Sequence, residues 1–593
     1  MYTHRNAPHR TATPYTQKGG YASDTNMPLT GTEIQHDGQI IAMVVAESYG
    51  VARDASHRIV VQYAATAPAA TMDSPGAAVT HPDALAEKEK QAGDFAAAFA
   101  AVPVTVDARY STPAQHQNAI ELYSTTASRA GGELTIHEPS QFVVELANGA
   151  AAMMGVDPSA VHVSNPHIGG AFGGKGFMTQ RTALIAGAAR DLSQPVRNVV
   201  TREQGFTLAT YRAETRHHVR LGSDRGGGLL AYGHESWEMQ SRQDDYPLAG
   251  FGVTTAMYGK PAILTRVNMV KADRQTSGFM RAPVEMPYMY ALESAMDELA
   301  VALGMDPVEL RRVNDIRESP VDGARFTSRS LMQCCDPAAA SFGWGNRDPK
   351  PGSMRDGDWL IGYGCATASY PTHTAPATAR VTLRADGSAL VEVAGQDSGQ
   401  GVYTVLAQIA GRELQLDPHR VRVVTGDSSL SAGPASSNSM ATASLGSAVT
   451  LAARKVRACL GNTMPTDQER VPAFGRLGVS EISEVGEFVP PGKTPDVLDK
   501  LRKGQVPFAS QARGDESKDG KPLMFAFGAE FVEVRVHRLT REIRVPRMTG
   551  ALSDRYDLAG LCSRLSAPAR VPPNLSAPPV SGVPGFLWLP VSC

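Results

Sequence analysis

No apolar run in these 593 residues approaches the ~20 needed to cross a bilayer, so no membrane span is expected. The first 28 residues are polar and rich in Thr, His and Gly, without the apolar core of a signal peptide. An excess of one charge is lacking too. Lys and Arg number 57 against 59 Asp and Glu, a net charge of −2, which gives no electrostatic footprint for nucleic acid or an anionic membrane. Cysteine is scarce, with only Cys334, Cys335, Cys365, Cys459, Cys562 and Cys593, and no two make a Cys-x-x-Cys pair. That spacing suggests neither a zinc site nor an iron–sulfur cluster, and scattered buried thiols are expected instead. Apolar residues make up 42% and charged residues 20%, enough for sizeable cores. A chain this long should divide into about three or four domains.

What is present is glycine in particular places. Gly169-Gly170-Ala171-Phe172-Gly173-Gly174-Lys175 follows a strand-like run at 160–165 and precedes a helix-like run at about 177–190. Glycine adds backbone entropy that folding must remove, so such density suits a loop whose amides closely approach a ligand, or else a tight turn. Residues 169–175 fit most of a phosphate-loop Gly-x-x-x-x-Gly-Lys pattern, but Gly176 stands where Ser or Thr should hold magnesium. The dinucleotide pattern Gly-x-Gly-x-x-Gly is also unmet, which leaves a nest of amides for an anionic or sulfur-bearing cofactor.

Along the chain, residues 39–46, 47–59 and 60–63 read as a compact strand–helix–strand unit, with an Ala/Pro-rich connection at 64–79 as a boundary. Strands are expected at 104–111, 133–137, 196–201, 217–221 and 229–240, and helices at 140–154 and 286–303. Asp306-Pro307 reads as an N-cap and first turn of another helix. After a Pro/Gly-rich linker at 347–358, a hairpin is expected about Asp386-Gly387. A second glycine loop at 395–401 leads into a helix at 402–414, and a small-residue loop at 426–444 precedes a helix near 448–460. A further hairpin is expected at 525–547. The second half thus repeats the first in outline: hairpin, glycine loop, long helix.

Other features read more blandly. Asp427-Ser428 brushes against the Gly-Asp-Ser opening of some esterases, but without a paired base they read as turn residues. Adjacent His217 and His218 face opposite sides of a strand and cannot share one metal. Arg281, in a small-residue turn ahead of a helix, suits either a ligand oxygen or a helix-start ion pair.

Taken in order, Gly-Gly-Ala-Phe-Gly-Gly-Lys (169–175), Phe-Met-Arg-Ala-Pro (279–283), Gly-Met-Asp-Pro-Val-Glu-Leu-Arg (304–311) and Gly-Gln-Asp-Ser-Gly-Gln-Gly (395–401) resemble the xanthine dehydrogenase/aldehyde oxidoreductase family. The closest likeness is to the separate molybdenum-cofactor subunit of bacterial three-subunit aldehyde oxidoreductases, over roughly residues 31–550. The resemblance implies an α+β fold: the end of an α/β hammerhead domain, then two molybdopterin-binding domains. The implied divisions are 1–28 (irregular), 29–100 (partial hammerhead), 101–345 and 346–550 (the two cofactor domains, the second incomplete), and 551–593 (tail).

It also implies hydroxylation of an aldehyde or N-heterocycle with oxygen from water. The cofactor would be molybdenum–molybdopterin, in bacteria usually the cytosine dinucleotide form. Electrons would leave through an iron–sulfur subunit and an FAD subunit, which gives the lack of cysteine clusters a meaning. Carried over residue by residue, Gln141, Phe172 and Arg281 stand near the metal and in the active-site wall. Gly170, Ala171, Phe172 and Gly173, then Gln396, Ser398, Gly399, Gln400 and Gly401, and finally Ser439 and Met440 line the cofactor, with no side chain ligating the metal directly. The implied compartment is the cytoplasm unless a partner carries an export signal.

The likeness departs at both ends. The family's catalytic glutamate lies in a Gly-Val-Gly-Glu motif that this sequence lacks, and Tyr370 stands where some aldehyde-oxidising relatives have arginine. Residues 551–593 contain no Lys, Glu, His, Ile, Met, Gln or Thr. That abrupt shift reads as an out-of-frame tail on a truncated copy, whose second reading is a non-catalytic remnant or subunit-binding module.

Overall fold

The structure, a computed structural model, describes residues 1–11, 25–176, 179–461, 463–505, 511–515 and 521–553. Nearly all of the tail (554–593), the start of the helix-like run (177–178) and part of the N-terminal segment (12–24) lie outside the described residues. Among those described, strands form a six-stranded sheet, three four-stranded sheets and a two-stranded pair.

Two of the four-stranded sheets are the same design made twice. In the first, the hairpin Ser124–Ala130 and Glu133–His137 runs into helix Val143–Met154, which returns to Val161–Val163 parallel to Glu133–His137. Helix Gln180–Leu192 then leads to Val196–Val199, antiparallel on the outer side of Ser124–Ala130. In the second, the hairpin Ala377–Arg384 and Ala389–Glu392 precedes helix Val402–Leu414 and the parallel strand Val421–Val424. Helix Ala441–Cys459 and the antiparallel strand Glu481–Phe488 complete it. The repeat read from hairpin, glycine loop and helix is therefore structural.

Each sheet buries one face under its own helices. Ile136, Val163, Ala150 and Ala186 lie in one core, and Val381, Val391, Leu406 and Val449 in the other. Alanine is frequent where helix meets strand, which permits close approach of the layers. In this design every loop that leads from a strand into a helix emerges at the same edge of its sheet, the edge where open α/β sheets place ligands.

The six-stranded sheet supports the first repeat. It joins Val104–Thr112, Thr215–Ser223, Leu229–Ser241 and Ala262–Ala272 in that order. Strands Ala78–Thr80 and Gln91–Ala92 both pair with Ala262–Ala272, so residues before position 100 share a sheet with those far beyond it. Helix Glu285–Leu303 lies across the sheet, burying Leu292, Met296 and Leu299. The next helix is capped as expected, Asp306 accepting from Val308 N and Glu309 N with Pro307 in the first turn.

Other expectations fail for physical reasons. Residues 39–46 and 60–63 form no strand, although helix Tyr49–His57 does form, capped by Ser48. Met43 makes one isolated antiparallel bridge with Tyr2, exchanging hydrogen bonds of 2.7 and 2.9 Å, but the pairing extends no further. No residue of the helix is buried and Val60 is 89% exposed, so the second run has no packing to make it a strand. Strand Trp359–Pro371 went unread because six of its residues are Gly, Ala, Ser or Pro (Gly362, Gly364, Ala366, Ala368, Ser369, Pro371). Its thirteen-residue register with Phe525–His537 is what makes it a strand. Helix Ala441–Cys459 begins earlier than expected, at the end of the small-residue loop.

His217 is buried and bonded to Thr215 Oγ1 and His234, whereas His218 faces the other way, 2.6 Å from Asp107. Among the described cysteines, Cys334, Cys335 and Cys365 are buried free thiols and Cys459 is exposed.

Candidate functional site

The four strand-to-helix loops of the two repeats meet at one seam. Gln141 lies four residues past the end of Glu133–His137, and Gln396 stands four past the end of Ala389–Glu392. Both are buried, at 5% and 0% exposure. Gln141 Nε2 donates to the Ser436 carbonyl (2.6 Å), and Ser436 N donates back to the Gln141 carbonyl (2.8 Å). Ser436 Oγ donates in turn to the Gln396 carbonyl at 2.7 Å. In each glutamine the Oε1 is buried without a partner. Such an orphaned acceptor is costly unless a ligand or water completes it. The seam is closed further where Asn165 N donates to the Gly426 carbonyl (2.6 Å) and Ile168 N to the Asp397 carbonyl (3.1 Å).

The 169–175 loop joins this seam on one side and the Arg281 turn on the other. Gln141 N donates to the Lys175 carbonyl at 2.7 Å, and Arg281 N donates to the Phe172 carbonyl at 3.0 Å. Gly173 has φ +99°, and a Cβ there would stand 2.7 Å from the Phe279 carbonyl oxygen, so only glycine lets the loop lie on that turn. Phe172 is 42% exposed with φ +54°. Arg281, Ala282, Asn438 and Ser439 also have positive φ, so strained backbone gathers at this site.

Lys175 does not reach outward for phosphate. Its ammonium is buried on Glu121 Oε2 (2.6 Å) and the Glu121 carbonyl (3.2 Å), and burial lowers its pKa. With Gly176 in place of a magnesium-binding hydroxyl, a nucleoside triphosphatase loop is excluded.

In the second loop, Asp397 Oδ1 accepts from Gly399 N (2.8 Å) and Gly401 N (3.4 Å), and Gln400 Oε1 accepts from Ser398 N (2.7 Å). Those amides are committed to their own loop. Met440 is buried directly before helix Ala441–Cys459 and donates its N–H to the Ser437 carbonyl (3.1 Å). Asp427 is a turn residue as expected, accepting from Ser429 N at 2.9 Å. It also holds His162 of the first repeat at 2.8 and 2.9 Å, while Ser428 Oγ accepts from Val163 N.

Of the residues singled out from sequence, Arg281, Phe172, Gln141 and Gln396 are linked by hydrogen bonds in one assembly, through the 169–175 loop and Ser436. Sequence reading missed Ser436, Glu121 and Arg212, the last buried with Nη2 donating to the Ala282 carbonyl of the Arg281 turn at 3.1 Å. Nothing local distinguishes them, because each acts through a partner distant in sequence.

A buried carboxyl also went unread. Glu285 opens the helix after the Arg281 turn, is 8% exposed, and has an unpartnered Oε2. Burial pushes its pKa up to about 7, with Asp515 adding and Arg212 opposing. The stretch nearest the Gly-Val-Gly-Glu motif, Glu484-Val485-Gly486-Glu487, lies in the strand Glu481–Phe488. Its exposed Glu487 pairs with Arg502 and belongs to the outer surface.

The molybdopterin cofactor-binding domain family matches residues 79–315, and a second domain of the same description matches residues 337–552. The chain belongs to this family. It is 33% identical over 522 residues to the aldehyde oxidoreductase molybdenum-binding subunit PaoC of Escherichia coli K12, across 88% of this chain and 69% of that one. It is 25% identical to the probable hypoxanthine oxidase XdhD of the same strain, across 93% of this chain and 63% of the relative. In fold it is similar to the aldehyde oxidoreductase from Desulfovibrio desulfuricans, with a TM-score of 0.75 at 22% identity. That match covers 93% of this chain and 61% of the other. The chain therefore spans roughly two thirds of the length of these relatives. The two matched domains each contain one copy of the repeated sheet, so the seam between the repeats is also the seam between the two molybdopterin-binding domains.

Proposed function

We propose that this chain is the molybdenum-cofactor subunit of an oxidoreductase that hydroxylates aldehydes or N-heterocycles with oxygen from water. The observation that carries this reading is the seam itself, where Gln141 and Gln396 each present a buried, unpartnered amide oxygen between two molybdopterin cofactor-binding domains. These groups fit a polar cofactor rich in N–H donors, as a pterin is, in a cleft that each domain only half builds.

Gln141, Gln396, Ser398, Gly399, Gln400 and Gly401 would hold it from one side, with Gly170, Ala171, Phe172 and Gly173 on another and Ser439 and Met440 at a helix start. Because Asp397 and Gln400 already occupy the second loop's amides, that loop holds a ligand through side chains or by exchanging those bonds. When bound, the molybdenum cofactor supplies the two-electron oxidant and the activated water oxygen. Phe172, partly exposed on a strained backbone, would exclude water and orient a planar substrate. Arg281 supplies a cation for a substrate oxygen.

The cytosine dinucleotide form, iron–sulfur and FAD partner subunits, and domains at 101–345 and 346–550 belong to the same proposal. Relatives whose names describe a molybdenum-binding subunit and a carbon monoxide dehydrogenase large chain support the multi-subunit arrangement. The test is elemental analysis of the purified chain together with dye reduction by an aldehyde. Molybdenum near one per chain with dye reduction supports the proposal, and absence of molybdenum from protein made in a cofactor-competent host overturns it.

A further inference from the structure

We infer that Arg212 is a positioning residue that shapes the turn carrying Arg281 and, through it, sets Arg281 against Phe172. The inference rests on the molybdopterin-site reading for its catalytic meaning, but its geometry stands without it.

Arg212 is 2% exposed and fixed by its backbone as well as its side chain. Its N–H and C=O pair with those of Gln115, both at 2.9 Å. Its Nη1 donates to Gln115 Oε1 at 2.7 Å. The preceding residue, Tyr211, bridges to Ser277 and accepts from Gly278 N at 2.8 Å, so the Arg212 segment runs beside the start of the turn. From that anchored position Nη2 donates to three successive carbonyls, those of Met280, Arg281 and Ala282, the last at 3.1 Å.

Three consecutive carbonyls can converge on one nitrogen only if the backbone between them coils in an unusual way. It does so here. Arg281 has φ +23° and Ala282 φ +52°, adjacent non-glycine residues in a region L-residues avoid. Such a conformation persists only when its surroundings impose it. A planar guanidinium with donors in a fixed fork can grip Gln115 and the turn at once, which a lysine ammonium on a single point cannot. Burial pulls the Arg212 pKa down to about 10, with Tyr246 and Glu285 opposing, so the group stays charged at neutral pH. The same turn is bonded to the glycine loop through Arg281 N and the Phe172 carbonyl, and Gln117 Nε2 holds the Phe279 carbonyl at 2.6 Å. Relaxing the turn would therefore shift Arg281 and Phe172 relative to each other while leaving the sheets intact.

The experiment compares the full chain with R212K and with the milder Q115A, which removes only the Nη1 contact. Amide hydrogen exchange is read on peptides covering 277–284 and on the distant helix at 402–414. The expected result is at least tenfold faster exchange at 277–284 in R212K, a smaller increase in Q115A, and no change at 402–414. Unchanged exchange at 277–284 in R212K overturns the inference, as does an equal increase in both peptides, which would mark general destabilisation. These readouts need no cofactor, so they fail independently of the proposed function. Where the loaded protein turns over substrate, R212K is expected to lower kcat per bound molybdenum at least tenfold. Combining it with R281A should add little to R281A alone, and full additivity of the two overturns the positioning role.

Discussion

Gln141 and Ser436 exchange hydrogen bonds across 295 positions of sequence, Nε2 to carbonyl at 2.6 Å and amide to carbonyl at 2.8 Å. This reciprocal pair ties the first helix-leading loop of one domain to the last of the other. It leaves Gln141 Oε1 unpartnered inside the seam.

Gln141→Ala should lower stability by about 1 kcal/mol, the usual net worth of such a bond. It should cost more in cofactor retention, since the Ala variant also removes the orphan oxygen. Urea unfolding of the cofactor-free chain and molybdenum content of the loaded chain separate the two. Undiminished molybdenum content would count against a cofactor role for this side chain.

Gly426 has φ +77°, and a Cβ there would stand 2.1 Å from the Asn165 carbonyl oxygen, a clash that no side-chain rotation relieves. Gly426→Ala should destabilise the chain by about 1–3 kcal/mol through strain and parting of the seam. A control at Gly131, where a Cβ meets nothing within 4 Å, should cost less, because only its φ of +59° penalises alanine. Thermal unfolding of the two variants checks this.

Glu285 gives a pH dependence of defined sign. Its folded pKa, about 7, lies above the ordinary 4.5, so the folded state holds the proton more tightly. Its contribution to stability is full below about pH 4.5 and is lost as pH rises through about 7, at about 1.4 kcal/mol for each tenfold difference in proton affinity between the folded and unfolded chain. Glu285→Gln should therefore gain stability relative to the parent as pH rises from 5 to 8. Parallel stability–pH curves for the two proteins would refute it.

His217 acts in the opposite window. Burial takes its pKa down to about 3, and the neighbouring His234 is pushed well below its usual value, so both are neutral in the folded sheet. Stability is then full above about pH 6.5 and falls as the pH drops toward 3, because the unfolded chain takes up protons that the folded one refuses. His217→Gln, which keeps a polar group beside Thr215, should shallow that acid limb. Chemical denaturation between pH 4 and 7 measures it.

Local features were legible to the extent that their causes were local. The Asp306 cap, the turn at Asp386-Gly387 and the helix after Gly401 each depend on a few neighbouring residues, and each forms as read. The apolar runs at 39–46 and 60–63 satisfied the same local rules and still made no strand, because a strand needs a continuous edge to pair with and only Met43 finds a partner, in a single bridge to Tyr2. Strand Trp359–Pro371 shows the converse, a weak local pattern made regular by thirteen residues of pairing. At the site, the ordered motifs around Phe172, Arg281 and Gln400 pointed to the molybdopterin family without revealing which atoms touch.

By itself, then, the sequence determined the repeated order of hairpin, loop and helix and the positions where glycine keeps backbone open to a neighbour. Those are properties of short segments, set by backbone sterics and side-chain period. Only the tertiary structure decided that Gln141 and Gln396 would bring orphaned oxygens to one seam, that Lys175 would turn inward onto Glu121, and that Arg212 would grip the Arg281 turn. Each of these joins segments far apart in the chain. Burial, which lowers the proton affinity of Lys175 and raises that of Glu285, exists only once those segments have packed.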